Sequence, residues 1–183
     1  MSLTLRAHAS DAYPPRTFAN AGRADLTAAF AFDFATAGEK LTRKAAGGKY
    51  VALDLALPAV ENARLLFAAL RATRVQRPTL NIAGNGVYTL VERGWDQARA
   101  DAYVLDVLTP VHAHLPLGLV VSGGQTGIDW AGGAAARALD IPVEMLFPAG
   151  FRQRDERGEL AGQNPGVVRD RFLASVRALK PGA

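Results

Sequence analysis

The stretch Ser122-Gly123-Gly124-Gln125-Thr126-Gly127-Ile128-Asp129 carries the residue types best suited to chemistry in this chain. It follows an apolar run, Leu117 to Val121, and precedes an alanine-rich segment. That order reads as a strand, a tight loop and a helix N-terminus. Exposed backbone N–H groups and the positive end of the helix dipole make such a junction an anion site. Glycines let main chain approach a ligand where a Cβ would clash. Ser122, Gln125 and Thr126 add side-chain donors. Asp129 either favours the first turn of its helix through the dipole or orients a ligand hydroxyl or a water. The chemistry implied is binding of a small phosphorylated molecule, a nucleotide or a phosphorylated cofactor.

Two further loops sit where apolar runs stop. Gly84-Asn85-Gly86 follows Thr79–Ala83, and Pro148-Ala149-Gly150 follows Val143–Phe147. In open α/β sheets, ligands lie beyond the carboxyl ends of the strands. Neighbouring parallel strands would bring the three loops to one rim. A plain turn explains Gly84, Asn85 and Gly86 equally well, since both residue types suit left-handed geometry. Both readings stay open.

The elements that must position these loops follow from periodicity. Residues 1–24, with Pro14, Pro15 and Gly22, read as an irregular arm draped on the body or on a neighbouring subunit. Phe30, Phe32 and Phe34 alternate, which predicts a strand over 26–34 with one buried face. Thr36 caps a helix to Ala46, with Glu39 completing a capping box. Tyr50–Leu57 is a strand. Val60, Ala63, Phe67 and Leu70 recur at helical spacing to Thr73. After the strand Thr79–Ala83, a loop with Tyr88 and Gly94 leads to a helix near Trp95–Leu108, which Pro110 ends or kinks. Strand 117–121, helix 128–139, strand 143–147, a polar segment 152–164 and an amphipathic helix 167–179 complete the chain. Strands and helices alternate almost throughout, which predicts an α/β fold, a Rossmann-like three-layer sandwich with a mostly parallel sheet. Residues 1–183 then form a single domain. Residues 78–183 are its nucleotide-binding core, and residues 1–77 are an extension or subdomain whose packing the sequence leaves open.

Bulk properties narrow the classes. Apolar residues at 49% and charged residues at 21% fit an ordinary globule of one domain. No cysteine is present, which excludes disulfides and thiolate metal sites. No N-terminal apolar run marks a secretory signal and no segment is long enough to span a bilayer, so a cytoplasmic address away from membranes is expected. The net charge of +4 is mild. Arg71, Arg74 and Arg77 suit the end of a helix better than a nucleic-acid surface, so nucleic acid is not an expected partner. His112 and His114 are too close in sequence to share a helix face, so no metal site is expected. The glycine loop lacks the lysine of a P-loop, and no nucleophile elbow occurs.

The loop Ser122–Asp129, with Pro148-Ala149-Gly150 after it and Asn81–Gly86 before it, resembles the SLOG superfamily of Rossmann-like proteins. The predicted molybdenum cofactor carriers are similar in the pattern S-G-G-Q-T-G-x-D followed by P-x-G. The LOG-type phosphoribohydrolases are more distant. The resemblance covers residues 79–160 and implies phosphate binding by Gly84, Asn85, Gly86, Ser122–Gly127, Asp129, Pro148 and Gly150. Ala149 stands where the carriers usually place lysine, and Arg152 or Arg154 can replace that charge, although their mixed-charge run also suits a solvated loop. The acid Asp129 lies at shorter spacing than the catalytic glutamate of the hydrolases. Binding or sensing of a phosphorylated ligand is therefore the first expectation. Cleavage of an N-glycosidic bond with Asp129 as the catalytic carboxylate is the second, and a structural or partner-binding module with a vestigial cleft is the third. A homo-oligomer is expected because related folds dimerise through helices.

Overall fold

A computed structural model describes residues 2–180. The chain runs β1 (Leu3–Ala7), α1 (Tyr13–Arg23), β2 (Leu26–Ala31), α2 (Ala37–Ala46), β3 (Tyr50–Asp54), α3 (Ala59–Ala72) and β4 (Thr79–Gly84). It continues with α4 (Val87–Val91), α5 (Gln97–His114), β5 (Leu119–Ser122), α6 (Ile128–Ala138), β6 (Val143–Phe147), β7 (Gln153–Arg154), β8 (Leu160–Ala161) and α7 (Pro165–Leu179). Six strands form one all-parallel sheet in the order β1-β6-β5-β4-β2-β3. Helices α1 and α2 pack together, and α3, α5, α6 and α7 pack in succession as a second layer. This is the Rossmann-like α/β sandwich that the alternation of elements implied. Among the described residues, no helix is long and apolar enough to cross a membrane.

The two faces of the sheet differ in chemistry. On the α6 side, Ile82 and Met145 meet the helix where it carries glycine. A Cβ on Gly132 would lie 2.5 Å from Ile82 Cγ2, and one on Gly133 would lie 2.7 Å from Met145 Sδ. Helix α6 therefore rests directly on the middle of the sheet, and Phe30, Leu80, Phe147 and Phe172 are fully buried in the same core. Burying each such side chain contributes about 1.5–3 kcal/mol. On the α1 side the layer between sheet and helix is polar: Arg16, Thr17 and Asn20 of α1 and Thr42 of α2 lie against Asn81 and Gly123.

Several expectations are corrected. Residues 1–24 are not an irregular arm: β1 pairs with β6 at the sheet edge, and α1 follows it. Pro14 and Pro15 sit in the first turn of α1, where a missing N–H costs nothing, so they start a helix where the sequence reads as an irregular arm. Residues 1–77 supply β1, β2 and β3 to the common sheet. Strand β2 ends at Ala31 and is buried along its whole length rather than on one face. Its successor Phe32 donates its N–H to Asn85 Oδ1 at 3.0 Å instead of extending the ladder.

The capping box of α2 is half formed. Thr36 Oγ1 accepts from Glu39 N, but the Glu39 side chain turns inward and is buried. The segment expected as a loop after Gly86 contains α4. Helix α5 runs through Pro110 to His114. Asp106, whose carbonyl would have received the missing N–H, is exposed, as is Pro110, while Val107, Leu108 and Val111 are buried and hold the helix down.

Candidate functional site

Strand order reverses between β2 and β4: the chain steps outward from β2 to β3, then returns to build β4, β5 and β6 on the other side. A crevice at the carboxyl ends is the expected ligand position of such a sheet. A cavity of about 390 Å³ lies there, within the range of small-molecule sites. Asp11, Tyr13 and Arg16 line it from the β1–α1 segment, Gly84 and Gly86 from the loop after β4, and Gln125, Thr126 and Asp129 from the loop after β5. Pro148 closes it beyond β6, and Arg152, Arg154 and Leu160 cover it from the β7–β8 hairpin. The three loops singled out in the sequence therefore share one hollow. Asn85, Ser122, Gly123, Gly124, Gly127 and Gly150 belong to the same loops but do not line it.

What those six residues do is visible in their contacts. Asn85 bonds Phe30 O through its own N–H and Phe32 N through Oδ1, and its carbonyl accepts from Ile128 N. The buried Ser122 hydroxyl lies 2.7 Å from the Asp129 carbonyl oxygen and 3.0 Å from that of Ile82, and donates within that pair. Gly127 (φ +92°) touches the first loop so closely that a Cβ would lie 2.5 Å from Asn85 O. Its N–H donates to Gln97 Oε1 at 2.6 Å. A Cβ on Gly124 would lie 2.7 Å from the Phe147 ring, and one on Gly123 would collide with Asp129 Oδ2. Gly150 forms the turn at φ +69° whose carbonyl accepts from Gln163 N. These glycines let protein segments approach one another and seat the Asp129 carboxyl.

Gln125 and Thr126 line the cavity but spend their polar groups on the hairpin. Gln125 Nε2 donates to Arg152 O at 2.9 Å, and Gln125 Oε1 accepts from Arg154 N at 3.2 Å. The Thr126 hydroxyl donates to Arg154 O. Gln153 Nε2 donates back to Gly124 O at 2.7 Å, and Arg171 holds Gln153 Oε1 from α7. The backbone of 152–154 is thus sewn to the loop 124–126. Arg152 and Arg154 thereby border the cavity. Arg152 also pairs with the exposed Asp11 at 3.2 Å, and Arg154 donates to Gly158 O.

The charged centre of the site is Arg16 with Asp129. Arg16 is 2% exposed and lines the cavity, with its guanidinium carbon 5.2 Å from the Tyr13 ring centroid. Among the described residues it makes no direct ion pair. Burial pulls its pKa below the ordinary arginine value, against the attraction of Asp129. Burial raises the Asp129 carboxyl to about 6, while Arg16 and the backbone N–H groups of Gln125 and Gly84 act in the opposite sense. Glu39, behind them on α2, is raised to about 7 by burial and by the charge of Asp129. Burial also raises the Tyr13 phenol to about 12, which keeps it protonated. Asp129 attracts this cation without forming a direct ion pair, and an anion in the cavity would give the guanidinium a direct partner.

Sequence reasoning missed Arg16, Tyr13 and Gln97. A signal for the first two was present. A proline pair followed by Thr17, Asn20, Ala21 and Ala24, which are all buried, marks a helix with a small polar face. Nothing local announces Gln97, whose partner Gly127 is reached only through the fold. No family model, curated protein or solved structure matches this chain.

Proposed function

We propose that this protein binds a small phosphorylated ligand of the nucleotide class in the cavity at the carboxyl ends of β4, β5 and β6. The observation that carries the reading is Arg16, a buried guanidinium in the wall of that cavity with no direct ion pair among the described residues. Arg152 and Arg154 at the mouth add positive charge. Guanidinium groups match phosphate geometry well. The loop amides contribute less than a free glycine loop would, because Gln97 takes Gly127 N and the Asn85 carbonyl takes Ile128 N. The SLOG-like pattern of Ser122–Asp129 and Pro148–Gly150 supports the same ligand class. The proposal includes a cytoplasmic setting and a homo-oligomer, which light scattering checks.

Thermal denaturation with nucleoside monophosphates, nucleoside diphosphates and inorganic phosphate tests this. A ligand at one hundred times its Kd adds about 2.7 kcal/mol of stability, which is about 5–10 °C for a chain of this size. Arg16→Gln removes most of that shift and Arg16→Lys only part of it. If no phosphate compound moves the transition, the reading is wrong.

A second reading draws on Asp129, a carboxyl in the wall of the same cavity. Such a group can stabilise positive charge on a ribose as its glycosidic bond breaks. Chromatographic detection of free base from a nucleoside monophosphate, lost in Asp129→Asn, would establish it. Binding without base release leaves the first reading alone.

A further inference from the structure

A second cavity, of about 520 Å³, adjoins the first, with Thr126 and Arg154 lining both. Arg152 lines only the first cavity and Gln153 only the second. Its floor is a stack of planar groups. Phe172 meets the Trp130 ring at 5.3 Å, edge to face, and the Arg171 guanidinium covers Trp130 with its carbon 4.8 Å from the ring centroid. Two of these groups are tied down: Trp130 Nε1 donates to Ser175 Oγ at 3.1 Å, and Arg171 donates to Gln153 Oε1. Trp130 is only 2% exposed, whereas Arg171 is exposed and lines the cavity, as does the apolar Val87.

The geometry points to a stacking platform: the second cavity receives a planar nitrogen heterocycle on Arg171, and one nucleotide spans both cavities with its phosphate beside Arg16. This rests on the phosphate-binding reading above and names the ligand more closely. An electron-rich ring stacks well on a guanidinium plane that is held in place. Groups suited to reading the edge of such a ring surround the platform. The Ser175 hydroxyl accepts from Trp130 and keeps its own proton to donate. Gln163 and Glu156 line the same cavity, and neither side chain has a hydrogen-bond partner among the described residues. An amide offers both donor and acceptor, and a carboxylate accepts from ring or exocyclic N–H. The ligand is then a nucleoside phosphate, for which ribose 5-phosphate is an incomplete substitute.

Calorimetric titration of the full chain with a purine nucleoside 5′-monophosphate, the free nucleoside, ribose 5-phosphate and inorganic phosphate tests the platform. The nucleotide is expected to bind roughly ten-fold or more tightly than ribose 5-phosphate, the scale of base stacking in proteins. Arg171→Lys keeps the charge and removes the plane, and should bring the nucleotide to the level of ribose 5-phosphate while leaving the latter unchanged. Circular dichroism of that variant shows that the fold is intact. Equal affinity for nucleotide and ribose 5-phosphate overturns the platform and leaves the phosphate site standing. Nucleoside binding that Arg171→Lys abolishes, with no response to phosphate or ribose 5-phosphate, upholds the platform and removes the phosphate site. No response to nucleotide or nucleoside overturns it outright.

Discussion

Gln97 holds both polar ends of Gly127: its Oε1 accepts from the Gly127 N–H at 2.6 Å and its Nε2 donates to the Gly127 carbonyl at 3.0 Å. The same Nε2 reaches Asp101 Oδ1 at 2.7 Å. One side chain of α5 therefore fixes the residue that caps α6. Gln97→Ala strands two backbone groups and a carboxyl that burial has already raised to about 6. A loss of about 2–4 kcal/mol is expected, read as a lower urea midpoint at unchanged slope. An unaltered midpoint would show that the clasp contributes nothing.

Glycine substitutions should divide by what the new methyl meets. Gly123→Ala drives a Cβ into Asp129 Oδ2, so the carboxyl must leave its seat. A cost of about 2–4 kcal/mol is expected. Gly22→Ala lies within α1 with nothing within 4 Å of the added carbon, so it should stabilise by about 0.5–1 kcal/mol. Equilibrium unfolding of the two variants compares them directly, and similar changes in both would contradict the packing described here.

Glu39 sets a pH dependence. Its folded pKa, raised from 4.5 to about 7, means that the folded chain binds this proton more tightly than the unfolded chain does. Stability from this group is complete below about pH 4.5 and declines as pH rises through the window to about 7. Glu39→Gln cannot lose that proton. Its stability relative to the parent should climb across the same window, by on the order of 2 kcal/mol. Urea midpoints of the two proteins between pH 4.5 and 8 measure the difference, and a constant offset would argue against it.

Asp129 should couple anion binding to protonation. Its carboxyl, raised to about 6, shares the cavity with Arg16, Arg152 and Arg154, with Asp11 at the mouth and Glu39 behind. Ionised, it repels an incoming anion; protonated, it does not. Sulfate, a dianion throughout, should therefore bind several-fold more tightly at pH 5.5 than at pH 7.5, and Asp129→Asn should flatten most of that difference. A parent protein whose sulfate affinity is level with pH would rule the coupling out.

The local pattern announced the elements and the rim well where both periodicity and glycine placement spoke. Val143–Phe147 is a strand with the expected bounds, and Gly84, Gly86, Gln125, Thr126, Asp129 and Pro148 border one hollow. It failed where meaning depends on distant partners. In the sequence Gly127 reads as making room for a ligand, yet Asn85, far away in sequence, fills that room. Gln125 was read as a ligand donor, yet Arg152 and Arg154 backbone groups consume both ends of its amide. Composition shows which donors exist, and only the fold shows which are already spent. Arg16 is hidden differently: the two prolines ahead of it read as part of an irregular arm, whereas they start a helix.

Because Gln125, Thr126 and Gln153 tether the hairpin to the β5–α6 loop, the rim that the two hollows share stands assembled before any guest arrives. Little chain entropy would be surrendered on capture, so the speed of uptake should follow diffusion toward arginines at an electropositive mouth. It should slow with added salt, and gain little from stiffening the segment further.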